Sequence, residues 1–322
     1  MRLYRAVPLG DATMTVIFQI SLAVLVAVLP TASYAETEFL TNQDVSRGEL
    51  AEIDAAILEP VTKGVGIPFI FPADVNPDYV YGIDISHHSF GKGVAFDWST
   101  LHKAGIAFVY SKATQGETFV DKTFETTWKA LSQSAVSGGA RRGAYHFLTA
   151  RGNPDLQAEK FLEVVTGFEL GRDMPPVVDL EWDCKIAKGR VVYDKSGRCI
   201  DLWDGVEPSE IASKVDRFAD LVEDALKVRP IIYTAASWWN GVGLTTELAG
   251  ERLWIADYTR KSQRTGKPRI PAGYSFVIWQ YTDNSKVHDR CLPTHAVKRD
   301  LCNDANIFRG SMREFLDSLG LE

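Results

Sequence analysis

Apolar and polar residues along this chain fall into short blocks whose period switches repeatedly. VYGIDIS (80–86), IAFVYSKA (106–113), RGAYHFL (142–148), PVVDLEWD (176–183), RPIIYTA (229–235), RLWIADY (252–258) and SFVIWQYT (275–282) are rich in β-branched and aromatic residues. They are too short for helices and predict strands. Between them, DWSTLHKAG (97–105), DKTFETTWKALSQSAVS (121–137), PDLQAEKFLEVV (154–165) and PSEIASKVDRFADLVEDALK (208–227) repeat apolar residues at helical spacing. Phe124, Trp128 and Leu131 share one face of the second of these, and Asp97 and Asp121 are candidate N-caps. A further helix is predicted over 311–319. Alternating strands and helices predict parallel βαβ units, and one uninterrupted run of roughly 240 residues fits a single barrel. The expected fold is therefore α/β, a single β/α (TIM-like) barrel. Connections between 229 and 282 are short and weakly helical, so the barrel should be irregular, with a partly antiparallel wall. The competing architecture is an open doubly wound sheet. No strand is followed by G-x-G-x-x-G or G-x-x-x-x-G-K-[ST], which removes the usual nucleotide-binding reason for it.

The N-terminus changes the picture of where the chain works. Arg2 and Arg5 precede an apolar stretch from Met14 to Leu29, then Pro30 and TASYAETEF. This is the order of a signal peptide, with Ser33 and Ala35 at the positions a peptidase reads. Residues 1–35 are expected to be cleaved and the mature chain exported, to the periplasm or the medium; an uncleaved anchor is the rival. Residues 36–77 read as an N-terminal extension, and 78–322 as the barrel. The composition, 45% hydrophobic and 24% charged, is that of a globular protein. A formal charge of -7, with the basic run RKSQRTGKPR (260–269) read as a solvated loop, disfavours nucleic acid and anionic membranes as partners, and a monomer is expected. Four cysteines form two local pairs, Cys184 with Cys199 and Cys291 with Cys302. In an exported protein these are the simplest of three possible disulfide connectivities. A zinc site is disfavoured because C-x2-C spacing is lacking and His288 and His295 supply no partner motif.

The chemistry gathers at strand ends. In a β/α barrel, the C-terminal ends of the strands face the mouth where sites are built. That rule collects Asp84, Lys112, His146, Asp179, Glu181, Tyr233, Asp257 and Gln280, with Tyr145, Trp182, Trp254, Tyr258, Trp279 and Tyr281 around them. Carboxylates among aromatic faces and hydroxyl or amide donors suit a carbohydrate. Singly, each has a plainer use: Asp84 capping a turn, His146 satisfied in the core, Asp257 paired with an arginine such as Arg260, Trp254 and Trp279 as packing. The sharpest feature is D-x-E. Asp179 and Glu181 share a strand face roughly 6 to 7 Å apart, a spacing that straddles retaining and inverting glycosidases and does not choose between them. It fits a pair in which one carboxyl is kept protonated by its neighbour's charge. Clustered carboxylates also suit a hard divalent cation, so a metal-dependent barrel hydrolase is one alternative; a catalytically silent glycan-binding protein is another.

Eight ordered blocks sharpen this reading: GIDIS (82–86), FDWSTLHKAGIAFVYSKATQG (96–116), GAYHF (143–147), PVVDLEWD (176–183), IIYTA (231–235), LWIADY (253–258), VIWQYTDNSKV (277–287) and DANIFRG (304–310). Together they resemble glycoside hydrolase family 25, the Chalaropsis-type lysozymes or muramidases. The resemblance implies an irregular β/α barrel without cofactor or metal. The implied reaction cleaves the β-1,4 bond between N-acetylmuramic acid and N-acetylglucosamine in peptidoglycan glycan strands, with retention. By motif, Glu181 matches the general acid and Asp179 its partner, which either orients the substrate's N-acetyl group as internal nucleophile or stabilises the cationic transition state. Asp84 and Asp304 match the two remaining acidic positions, and Tyr145, Tyr233 and Gln280 positions near the sugar. His146, Trp254, Asp257 and Trp279 complete the expected substrate-binding set. Asp304 enters through the resemblance alone, beyond the last strand that periodicity predicts. The chain departs from the family pattern in its two cysteine-bounded insertions, after Trp182 and Tyr281, which flank the expected groove.

Overall fold

The computed structural model describes residues 69–70, 79–89, 101, 105–136, 139–286 and 303–322. The expected signal peptide, most of the extension, nearly all of the helix at 97–105 and the pair Cys291 and Cys302 lie outside the described residues. The strands are β1 (Phe69–Ile70), β2 (Val80–Ile85), β3 (Ile106–Gln115), β4 (Phe119–Val120), β5 (Arg141–Phe147), β6 (Val177–Asp179), β7 (Ile186–Ala187), β8 (Arg190–Val191), β9 (Ile231–Ala235), β10 (Leu253–Ala256), β11 (Phe276–Lys286) and β12 (Asn303–Phe308). The helices are α1 (Phe124–Val136), α2 (Pro154–Val164), α3 (Pro208–Leu226), α4 (Ala236–Gly241), α5 (Arg260–Thr265) and α6 (Met312–Leu319).

Eight strands close into a barrel in the order β2-β3-β5-β6-β9-β10-β11-β12 and back to β2. Seven run parallel; β12 is antiparallel to both β11 and β2 and forms the seam. The expected antiparallel wall is therefore present, but it is a strand that the pattern did not predict. β4 folds back on β3 at the mouth, and β1 adds to β11 outside the barrel.

Period-two alternation sorts the strand residues. The inward set includes Tyr110, Tyr145, Val177, Tyr233 and Trp254, while Ile232, Val178 and Ala144 face the helices. α3 buries Ile211, Ala212, Val215, Phe218, Ala219 and Val222, a single stripe at helical spacing. α2 begins where Asn153 accepts a hydrogen bond from the Asp155 amide, with Pro154 in the first turn. α6 begins with a Ser311–Glu314 capping box and ends at Gly320 in the left-handed conformation. Asp121 does not cap with its carboxylate alone. One oxygen accepts from the Thr123 amide and hydroxyl, the other from the His87 amide and ring Nδ1 at 2.7 Å, tying the start of α1 to the end of β2.

Two glycines let the barrel interior fill. A Cβ on Gly82 would lie 2.2 Å from the Phe108 ring, and one on Gly143 would lie 2.3 Å from the Tyr110 ring. The large residues of β3 occupy the volume that β2 and β5 leave empty. Overpacking of this kind costs typically 1–3 kcal/mol. Gly82→Ala should therefore destabilise the fold by about 2 kcal/mol or more in denaturant unfolding, and adding Phe108→Leu should recover part of that loss. A double variant no more stable than Gly82→Ala would show that the ring is not the obstacle.

Candidate active site

At the C-terminal end of the parallel strands a pocket is lined by Asp84, Tyr145, Val177, Asp179, Tyr233 and Trp254. The polar groups are held by a chain of directed hydrogen bonds. Gln280 and Asn306 each donate an amide N–H to the same Asp84 carboxylate oxygen, at 2.7 and 2.8 Å. The Gln280 carbonyl accepts from the Tyr233 hydroxyl at 2.7 Å and from Tyr258. The Asn306 carbonyl accepts from the Trp254 indole at 2.8 Å. Each amide is thereby fixed in one orientation, because its oxygen and nitrogen have different obligatory partners. Asp304 sits directly across the seam from Asp84 and is buried.

Asp179 ends β6, and Glu181 follows as the chain leaves the sheet; both are almost completely buried. The strand continues its hold on β9 past Asp179, since the Leu180 amide donates to the Tyr233 carbonyl at 2.9 Å. Glu181, one residue further on, acts electrostatically on the Tyr233 hydroxyl. Burial raises the Tyr233 hydroxyl well above the ordinary phenol value, and the neighbouring acidic groups Tyr258, Glu181, Asp179 and Asp84 add to the rise. One neutral hydroxyl therefore lies within electrostatic reach of three carboxyl groups, and it remains a donor.

Other expected site residues point elsewhere. His146 faces the helix layer: its ring stacks on Phe218 at 4.7 Å and bonds Thr114 at 2.7 Å and Gln157 at 3.1 Å. Asp257 turns away from the interior, accepting from the Ser262 hydroxyl at 2.6 Å and from Arg269. Burial would raise this carboxyl, but those hydrogen bonds and the Arg269 charge outweigh it and hold the group below the usual carboxylate range. Trp279 also faces outward and donates to the Asp257 carbonyl at 3.0 Å. The physical reason is parity: Tyr145, Ala256 and Gln280 look inward, so their neighbours His146, Asp257 and Trp279 look outward. Asn306 was missed by the sequence reading. Its signal was available, since Asp304 and Asn306 are two apart and share a face of β12.

Cys184 and Cys199 are disulfide-bonded, with Cα atoms 5.6 Å apart. The segment between them is a small antiparallel knob containing β7 and β8. Its base is fixed to the mouth by Asp201, which accepts from the Asp183 amide at 2.9 Å, the Trp203 amide at 3.1 Å and the Trp238 indole at 2.9 Å.

A closed, mixed barrel with buried carboxyls, amide and phenol donors and an indole at its C-terminal mouth is the architecture of a glycoside hydrolase. The chain belongs to glycosyl hydrolases family 25, whose model matches residues 83–290. Lysozyme M1 of Streptomyces globisporus is 28% identical over 305 residues, covering 92% of this chain and 90% of that protein. The bacterial lysozyme of Streptomyces coelicolor superposes with a TM-score of 0.56 at 26% identity, over 74% of this chain and 96% of that one. A family GH25 lysozyme from Aspergillus fumigatus gives a TM-score of 0.55 at 26% identity, over 75% and 99%.

His146 provides a test of the inward and outward sorting. Burial pushes its imidazole down to about 3, against the opposing Gln157 hydrogen bond, and the Lys112 charge lowers it further. Below the ordinary histidine value, near pH 6.5, the unfolded chain binds a proton that the folded chain refuses. The stabilising neutral ring is thus fully effective above that pH, and its contribution falls by about 1.4 kcal/mol per pH unit on acidification towards pH 3. His146→Asn should unfold with a shallower loss of stability between pH 6 and 4 than the parent chain. Equal slopes would place His146 in an exposed, titrating setting.

Proposed function

We propose that the chain is an exported peptidoglycan muramidase cleaving the β-1,4 bond between N-acetylmuramic acid and N-acetylglucosamine. The observation that carries this reading is the pocket that gathers Asp84 and Asp179 with Tyr145, Tyr233 and Trp254 at the barrel mouth, with buried Glu181 two residues beyond Asp179, in a chain of a lysozyme-containing family. Glu181 is the general acid that protonates the leaving glycosidic oxygen. Asp179, in the pocket wall, either orients the substrate's N-acetyl group for internal attack or stabilises the cationic sugar. Asp84, held by Gln280 and Asn306, and Asp304 across the seam fix the floor on which the pair and the sugar rest. Tyr145, Tyr233 and Trp254 present ring faces and a hydroxyl to the sugar. A dry setting strengthens each of these electrostatic contacts.

Residues 1–35 act as the export signal and 36–77 as an extension ahead of the barrel in this reading. The mature chain should release fragments ending in reducing N-acetylmuramic acid from purified peptidoglycan, measured by mass analysis. Glu181→Gln should lower the rate by at least about 100-fold, the lower range for positioned proton transfer, and chelator should leave it unchanged. Release by Glu181→Gln at the parental rate, or loss of release with chelator, would overturn the assignment.

A further inference from the structure

The disulfide-closed knob carries a charge opposite to that of the chain. Between Cys184 and Cys199 stand Lys185, Lys188, Arg190, Lys195 and Arg198 against one acid, Asp194, whereas the whole chain is at -7. All five basic side chains are exposed. Arg198 pairs with Asp194 at 3.6 Å. Lys185, Lys188, Arg190 and Lys195 have no carboxylate partner among the described residues. Arg229, by contrast, is met by Asp216, Asp220, Glu223 and Glu251.

The knob displays this charge at defined positions. Lys188 and Gly189, with φ of 51° and 71°, make the turn between β7 and β8. Such turns favour Asn, Asp or Gly at that first position, so a lysine there is held at some conformational cost. Lys195 lies at the other turn, where an Asp194 carboxylate oxygen accepts from the Ser196 and Arg198 amides at 2.7 and 3.0 Å. Both turn tips thus carry an ammonium group. The base is closed by the disulfide and by Asp201, and the knob starts three residues after Glu181. Asp183, between them, accepts from the Ala150 amide at 2.9 Å, which joins the base to the loop after β5.

From these observations we infer that the knob is a docking surface for the carboxylate-bearing peptides attached to the glycan strand that occupies the barrel mouth. This rests on the muramidase reading, and deepens it. The knob borders the mouth, so the anion that meets it is carried by the same polymer as the scissile bond. Peptide carboxylates have the charge and spacing flexibility that four exposed cations, two of them at turn tips, require.

The test separates binding from cleavage. Glu181→Gln chains with the native knob and with Lys185→Gln/Lys188→Gln/Arg190→Gln/Lys195→Gln are sedimented with purified peptidoglycan, and with the same insoluble polymer whose peptide carboxylates have been capped as neutral amides. The neutral knob should bind the uncapped polymer about tenfold more weakly at low salt, with the gap closing at high salt. On capped polymer the two chains should bind alike. The milder Lys188→Gln/Lys195→Gln, altered only at turn tips, should show part of the same loss, with an unchanged melting temperature. Equal binding to uncapped polymer overturns the proposal. So does an equal loss on capped polymer, or a loss that follows removal of wall phosphodiester polymers instead of capping of the peptides. If the parent chain releases no muramic-acid-ended fragment while the knob-dependent binding persists, the catalytic reading fails and the docking surface remains.

Discussion

One buried carboxylate organises the pocket. Asp84 accepts two amide hydrogen bonds on one oxygen, from Gln280 and Asn306, residues 196 and 222 positions away in the chain. A charge at 2% exposure is costly unless it is hydrogen-bonded. Here the bonds come from β11 and β12, the two strands that close the barrel onto β2. Closure and solvation of Asp84 are therefore the same event. An open sheet would leave β2 without its β12 neighbour and Asp84 without Asn306.

The outer face of each strand end supports the inner one. His146, Asp257 and Trp279 lie next to residues that look into the barrel, and each is fully engaged in the helix layer or its loops. His146 is clamped between Thr114 and Gln157 and stacked on Phe218; Asp257 is surrounded by Ser262, Thr259 and Arg269. These bonds fix the backbone at the positions where Tyr145, Ala256 and Gln280 face the pocket. Positional precision at a site comes from such support as much as from the groups that touch a ligand.

How much of this was legible in the sequence follows from the same geometry. The parallel strands, the helices α1, α2, α3 and α6, and the Cys184–Cys199 bridge could be read from period, caps and cysteine spacing. Asp84, Asp179, Tyr233 and Gln280 could be read too, because they fall in the later half of the strands that periodicity predicts, on the inner face. The strand-end rule failed in two ways. It does not state parity, so His146 and Asp257 were gathered with residues pointing the opposite way. It also assumes that the mouth is at the C-terminal end of every strand. β12 runs antiparallel, so its mouth residues, Asp304 and Asn306, are at its start. Periodicity assigns no direction to a strand, and only pairing reveals it.

The mixed wall also explains where the chain can vary without losing its site. The carboxyls, amides and phenols of the pocket are set by eight paired strands whose registers fix one another around a closed ring. The knob adds no strand to that ring. It leaves β6 after Asp183 and returns through Asp201, and the Asp201 contacts with Asp183, Trp203 and Trp238 close the loop on itself at the barrel rim. Chain inserted between two such fixed points changes what lies beside the mouth without changing the mouth. Loop closure of this kind costs little extra per added residue, and a disulfide reduces the freedom lost on folding. A charged surface is therefore compatible with the geometry of the barrel only because it is displayed on a separately braced element, outside the register that holds Asp179 and Glu181.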